Sequence, residues 1–376
     1  MFAEHEPCRP FRSLFGVKNI VKPNKSITVE LSEEELEYYS RQIVLAEMGY
    51  NAQLKLRNSK VCLLGVGGLG SPAAMQLVAM GVGHLRIVDR DIVELTNLHR
   101  QHLYTVTDVG YPKVEAAAKR LQQLNPYIRV EPLPLSVNQT NAESIVQGMD
   151  IIIDGLDSMA ARYAINRACT KRGVPYVFGA AITTTGNIST IIPGETACLE
   201  CFYGNLDDKK LPKCGVVGVH PSVVNIIASL EVSEGIRILT GKQPRLINKL
   251  LHFDLDELEF NKINLSKVDS CPVCGVNPSG FAMPLKHEVV EEICGRKGKK
   301  VFVIVPKEKV NVDLIDLKEI LIKRGFSLKV EGKLGLTSGL RDIKISVLKS
   351  GIIILEGVKE KDEAIKLSNE LIGNCY

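Results

Sequence analysis

The sequence predicts an α/β protein: a doubly wound, Rossmann-like and mostly parallel sheet, followed by a small C-terminal α+β domain. Three observations carry that expectation. Apolar strand runs at Lys60 to Gly65, Leu85 to Asp89 and Asp150 to Asp154 alternate with helical periodicities, the pattern of parallel strands covered on both faces. The glycine-rich turn Gly65-Val66-Gly67-Gly68-Leu69-Gly70 joins the first of these strands to a helix. The chain has 376 residues, well beyond the ~150 of one typical domain, which leaves room for a second unit.

Residues 1–31 carry Pro7, Pro10, Pro23 and five basic side chains, and read as an N-terminal extension, flexible or partner-docking rather than a transit peptide. Ser32 and Glu35 have capping-box spacing and open an N-terminal helix within 32–57, with Leu36, Tyr39 and Ile43 on one face and Arg41 off it. After the first strand, Ser71-Pro72 falls in the opening turn of a helix. Beyond the second strand come a helix at Pro112 to Leu124, a strand at Arg129 to Pro132, a helix at Asn141 to Gly148 and the strand Asp150 to Asp154. Short strands at Tyr176 to Ala181 and Asn187 to Ile192, a helix at Ser222 to Leu239 and strands up to about Phe260 complete a domain over 32–275. Gly, Pro and Ser in 276–284 mark a linker. The domain at 285–376 is expected to run helix near Lys286 to Ile293, strand Val301 to Val305, helix Asp313 to Arg324, then strands near Ser327 to Val330, Ile343 to Leu348 and Ile352 to Glu356. A helix at Asp362 to Leu371 closes it.

Composition narrows the function. Hydrophobic residues at 45% and charged residues at 24% describe a globular protein, and no apolar run approaches the ~18 residues of a membrane span. The net charge of +4 is carried entirely by residues 285–376, because 1–284 hold 29 basic and 29 acidic side chains. So small a surplus, without RNA-binding or finger signatures, argues against nucleic acid. Ten cysteines in a chain this long suit a reducing cytoplasm, where clustered thiols suggest metal binding or catalysis before disulfides.

Gly65, Gly67, Gly68 and Gly70 let backbone approach phosphates while the helix N-terminus supplies N–H donors, and Asp89 at the next strand end is placed to accept from a ribose. That fragment alone would suit NAD as well as ATP. Downstream polar residues favour a triphosphate: Asp91, Thr96, Asn97, Arg100 and Gln101 follow Asp89, and Lys113 opens the next helix. Asp157 closes IIIDGLD at the carboxyl edge of the sheet, where a carboxylate suits Mg2+; Asp154, inside the strand, reads as structural. Cys198-x-x-Cys201 and Cys271-x-x-Cys274 form two thiolate pairs suited to tetrahedral zinc. The 69 residues between the pairs make such a metal a clip joining distant parts of the fold. Cys214 has Lys209, Lys210 and Lys213 nearby, and such cations favour the nucleophilic thiolate.

Taken in order, YSRQI at Tyr39 to Ile43, GVGGLGS at Gly65 to Ser71, the run from DRD at 89–91 to NLHRQ at 97–101, GYPKVE at 110–115, GLDS at Gly155 to Ser158 and the two CxxC pairs resemble the ubiquitin-activating-enzyme-like adenylyltransferases of MoeB/ThiF type. The resemblance spans roughly residues 32–275. It implies ATP-dependent adenylation of the C-terminal glycine of a ubiquitin-like or sulfur-carrier β-grasp protein, by a homodimer. It further implies Asp89 on the ribose, Asn97, Arg100 and Lys113 on the phosphates, Asp157 on Mg2+, a structural zinc, and Arg41 as an arginine finger from the partner subunit. Ser158 stands where the family commonly has Asn. Cys214 matches the family cysteine that in some members carries the activated product as a thioester or persulfide-type link. A downstream conjugating or sulfur-transfer enzyme is then a further partner, and the C-terminal domain a protein-docking module. Two other readings stay open at this level: an NAD-dependent dehydrogenase, which leaves Arg100, Lys113 and the four thiols unexplained, and a binding module of the same fold without catalysis.

Overall fold

A computed structural model describes residues 29–211, 214–278, 282–285, 289–294 and 300–373. Residues 1–28 of the expected extension, 279–281 of the expected linker and Lys213 lie outside the described residues. The chain enters through α1 (Glu33–Tyr38), and both arms of the Ser32–Glu35 capping box are made. One N-terminal helix was the expectation; three short ones occur, α1, α2 (Ser40–Ile43) and α3 (Gly49–Arg57). The apolar stripe is real, because Tyr39 and Ile43 pack with Leu31 and Leu36. The axis nevertheless breaks: Val44 and Leu45 turn to solvent, and Gly49 restarts the chain at φ +66°.

The main sheet is built from β1 (Lys60–Leu64), α4 (Gly70–Ala79), β2 (His84–Val88), α5 (Lys113–Leu124), β3 (Arg129–Leu133), α6 (Ala142–Val146), β4 (Ile151–Asp154), α7 (Met159–Arg172), β5 (Tyr176–Ile182) and β6 (Thr185–Ile191). After α8 (Leu199–Tyr203), α9 (Cys214–Val217) and α10 (Pro221–Leu239), β7 (Lys249–Asp254) and β8 (Glu259–Asn264) complete it. The order is β3-β2-β1-β4-β5-β6-β7-β8, parallel from β3 to β5 and antiparallel from β5 to β8. Side-chain alternation divides the core between two faces. Val61, Leu63, Ile151, Ile153 and Val177 join α4, α5 and α10 on one side. Cys62, Leu64, Ile152, Tyr176 and Phe178 join α6, α7 and α8 on the other. The strand order reverses between β1 and β4, and a crevice for ligands opens at the carboxyl ends of strands at such a switch point.

A second, fully antiparallel sheet contains β9 (Val290–Cys294), β10 (Lys300–Ile304), β11 (Ser327–Glu331), β12 (Gly335–Leu340), β13 (Ile343–Leu348) and β14 (Ile353–Glu356) in the order β11-β12-β13-β14-β10-β9. Helices α11 (Leu314–Lys323) and α12 (Lys361–Ile372) cover its core. The helix expected near Lys286 to Ile293 is corrected to the strand β9, with 286–288 outside the described residues. Its backbone groups pair antiparallel along the neighbouring strand β10, which takes up the hydrogen bonds that a short helix would have had to make within itself. The strand β12 was not expected, because Gly335 and Gly339 weaken its strand propensity; it forms because β11 and β13 flank it and its side chains are buried.

The second sheet packs over the connection from β2 to α5. Ile92 inserts among Val303, Val305, Leu348, Ile352 and Ile354. Thr337 Oγ1 donates to the Gly110 carbonyl at 2.7 Å, and Glu115 accepts from the Lys333 and Leu334 amides at 2.7 and 2.8 Å.

Candidate functional site

The glycine turn separates into two kinds of glycine. A Cβ on Gly65, where φ is +79°, would lie 2.3 Å from the Gly155 carbonyl oxygen, and one on Gly70 would lie 1.9 Å from the Gly65 carbonyl oxygen. The close approach of the β1 and β4 ends therefore requires Gly65, and the tight fold of the turn back onto itself at the start of α4 requires Gly70. At Gly67 and Gly68 a Cβ would meet nothing nearer than Gln101 Nε2 at 3.6 Å and Val224 Cγ1 at 3.4 Å. Packing does not demand glycine there; the bare backbone leaves room for a ligand beside Arg100 and Gln101. The Gln101 side chain is buried, yet its Oε1 has no hydrogen-bond partner among the described residues. A buried acceptor left unpaired costs about 1–3 kcal/mol, so its position against the glycine turn fits a bound group that brings a donor, such as a nucleotide hydroxyl or amine.

Asp89 Oδ2 accepts from the Val66 amide and Oδ1 from the Asp91 amide, both at 2.8 Å, which fixes the carboxylate against the turn. Asp91 Oδ2 pairs with Lys113 Nζ at 2.8 Å. Burial pushes the Asp89 carboxyl up against the opposing pull of Lys113. Burial would also raise Asp91, but Lys113 and Arg90 hold it below the ordinary carboxylate range. Burial would discharge Lys113, and Asp91 and Asp89 keep its ammonium charged. A desolvated cation held by carboxylates is ready to face phosphate oxygens. Asn97 is buried, and its Oδ1 closes the preceding turn on the Glu94 amide at 3.0 Å. Arg100 Nη1 donates to the Thr96 carbonyl at 3.0 Å.

The loop bearing Asp157 is held from beneath. Asp154 accepts from Arg162 Nε at 3.0 Å, from the Tyr176 hydroxyl at 2.5 Å and from the Leu156 amide at 2.8 Å. Arg162 Nη2 donates to the carbonyls of Leu156 and Gly179 at 2.6 and 2.8 Å. This occupies Asp154 as a structural anchor, as expected, and leaves Asp157 exposed at the end of the loop. Among the described residues Asp157 makes no hydrogen bond or ion pair. Ser158 caps α7 by accepting from the Ala161 amide at 3.4 Å. Sequence spacing gave no sign of Arg162 or Tyr176, because their role is set by the crossing of α7 and β5 over β4.

The four paired thiols converge. The Sγ atoms of Cys198, Cys201, Cys271 and Cys274 all lie within 4.8 Å of one another. Separations of 3.9 Å for Cys198 to Cys201, 3.7 Å for Cys198 to Cys271 and 3.3 Å for Cys201 to Cys274 compare with about 3.8 Å for corners of a tetrahedron with zinc–sulfur bonds of about 2.3 Å. Behind them Arg167 pairs with Glu200 at 2.9 Å, and Asn166 Oδ1 accepts from the Leu199 amide at 3.1 Å. Two expected residues stand apart. Arg41 is exposed on α2, without a hydrogen bond or ion pair among the described residues. Cys214 opens α9, and its side chain lies outside the described residues.

The ThiF family model matches residues 39–273. The sulfur carrier protein adenylyltransferase of Thermus thermophilus is 37% identical over 272 residues, which cover 70% of this chain and 98% of that protein. The sulfur carrier protein ThiS adenylyltransferase of Bacillus subtilis is 31% identical over 339 residues, 89% of this chain and 99% of its own length. Among solved structures, E. coli MccB with ATP is similar at a TM-score of 0.56 and 28% identity, over 63% of this chain and 74% of that one.

Proposed function

The chain belongs to the ThiF family, and from that premise we propose that it binds ATP at the glycine turn and adenylates the C-terminal glycine of a small ubiquitin-like or sulfur-carrier protein. It is an adenylyltransferase by membership. The observation that carries the nucleotide site is the unpaired, buried Gln101 Oε1 beside the bare backbone of Gly67 and Gly68, with Arg100 alongside. A dehydrogenase is not favoured, since the relatives are adenylyltransferases and a hydride transfer would have no use for Lys113 and Arg100.

In the proposed reaction the carrier's terminal carboxylate is already ionised at neutral pH, so no general base is needed. Its oxygen bonds to the α-phosphorus while the bond from that phosphorus to the bridging oxygen breaks, and pyrophosphate departs with the electron pair. Asp89 holds the ribose, Asn97, Arg100 and Lys113 bind the phosphates, with Arg100 and Lys113 neutralising their charge, and Gln101 accepts from a donor group of the nucleotide. Asp157, with Ser158 beside it, would hold Mg2+, which supplies further positive charge to the phosphates. Cys198, Cys201, Cys271 and Cys274 would bind zinc in a closed four-ligand site without a position for substrate. The direct test is ATP–pyrophosphate exchange with a β-grasp protein ending in Gly-Gly. Exchange is expected; its absence with every such carrier, together with tight NAD binding, would reject the assignment.

Two further roles belong to the same reading. Arg41, exposed and unpaired, serves as the finger across a homodimer. Arg41→Ala should lose exchange, and mixing with an active-site variant should restore it, since one hybrid site is then intact; no recovery on mixing would place Arg41 outside the partner's site. Cys214 takes the activated carrier as a thioester, its thiolate sulfur bonding to the glycine carbonyl carbon as AMP leaves with the electron pair; a persulfide-type link at the same thiol would draw its outer sulfur from a separate sulfane-sulfur donor. Cys214→Ala should keep exchange yet lose a thiol-sensitive adduct with the carrier, and persistence of that adduct would remove the cysteine from the pathway.

A further inference from the structure

Arg90 lies between Asp89 and Asp91, at the edge of the nucleotide site, but its side chain is committed elsewhere. Its guanidinium forks onto Glu291 of β9, with Nη1 to Oε1 at 3.0 Å and Nη2 to Oε2 at 2.7 Å, and Nη1 also reaches Ser136 Oγ at 3.3 Å. Such paired, charge-assisted bonds fix orientation as well as position. Glu291 is itself placed by the pairing of β9 with β10, opposite Val303, and the second sheet is anchored to Gly110 and Glu115 on either side of Lys113. Arg90 directly precedes Asp91 in the chain, and after Glu291 the carboxylates of Asp157 and Asp91 are the charges that favour its protonated form.

We propose that Glu291 is a positioning residue for the nucleotide site: it sequesters Arg90, and so keeps a mobile guanidinium off Asp157 and Asp91. Without it Arg90 is drawn toward the nearest carboxylates. It then competes with a divalent cation for Asp157 and with Lys113 for Asp91. This gives the C-terminal sheet a part in nucleotide binding although none of its residues was placed in the site. The inference rests on the nucleotide reading above. It also runs against bulk electrostatics, since removing an acid near a triphosphate would otherwise strengthen binding.

The test is equilibrium binding of Mn2+ and ATP by calorimetry, without carrier and without turnover, for the full-length wild type, Glu291→Gln, Arg90→Gln and the double variant. Glu291→Gln should bind Mn–ATP roughly tenfold more weakly, the loss of about one charge-assisted contact. Arg90→Gln should bind at least as tightly as wild type, and the double variant should return to within about twofold of it, because the competing cation is gone. A simple interdomain clasp predicts the opposite pattern, with both single variants weakened and the double no better. Unchanged or tighter binding by Glu291→Gln, or a double variant as weak as that single one, overturns the proposal. If Glu291→Gln does not fold, Arg90→Gln decides alone, and weaker binding than wild type rejects it. If the wild type binds no Mn–ATP, the nucleotide reading itself fails, which is a separate result.

Discussion

Cys198→Ser is expected to release the zinc proposed for the four thiols and to lower the melting temperature by roughly 8–16 °C, equivalent to about 4 kcal/mol in a domain of this size. The estimate follows from topology. Cys198 precedes α8 and Cys271 lies beyond β8, so the four sulfurs tie two segments that no strand pairing joins directly. Cys198 and Cys271 are also buried in the core that packs α6 and α7 on the sheet, so an unmetallated site would leave a serine hydroxyl and free thiols in an apolar cluster. Metal-site free energy is folding free energy when the ligands come from separate segments. Zinc content and a thermal melt, measured on the same preparation, provide the check; unchanged zinc in the variant would show that these thiols do not hold it.

Lys113→Gln is expected to lower ATP–pyrophosphate exchange by about a thousandfold or more, the order of effect for removing a preorganised charge from phosphoryl chemistry. It should also change how stability responds to pH. In the wild type Lys113 is the largest opposing influence to burial at both Asp89 and Asp91. A carboxyl held low in the folded state adds stability above its unfolded value and loses it as pH falls, whereas a carboxyl raised by burial costs stability as pH climbs. Removing Lys113 takes away the main charge that opposes burial at Asp89, and at Asp91 leaves Arg90 as the remaining opposing cation. The variant should therefore lose more stability than wild type between about pH 4 and 7, where the acids are already ionised in the unfolded chain while burial holds them protonated in the folded one. Denaturant midpoints at the two pH values test this, and a parallel pH dependence in both proteins would mean that Lys113 does not support the pair.

Much of this molecule was legible without coordinates. The strands at 60–64, 84–88 and 151–154 and the helices at 113–124 and 221–239 announce themselves by apolar periodicity and by local signals such as the Ser32 capping box. The glycine turn, Asp89, Asp91 and Lys113 were found because short-range spacing places them at consecutive strand and helix ends. Where the reading failed, local preference had been outvoted. The Val- and Glu-rich pattern over 286–293 predicts a helix, yet Val290–Cys294 pair along β10, and the weakly propensive run at 335–340 becomes a buried strand between two neighbours. The expected single N-terminal helix is broken in three because its stripe says which residues face the core, not whether the axis is continuous.

The sequence by itself determined the fold class, the nucleotide motif and the four metal-suited thiols, since each is a pattern of residue types at short, regular spacing. Only the tertiary structure decided which glycines of the turn are demanded by chain crossing and which are free for a ligand. Only there do Arg162 and Tyr176 occupy Asp154 and leave Asp157 exposed, and only there does Glu291, 201 residues from Arg90, reach the edge of the site. The physical reason is common to all three. Close approach, burial and Coulomb interaction depend on distance in space, and the sheet order that sets those distances is written in long-range pairing rather than in any local run of residues.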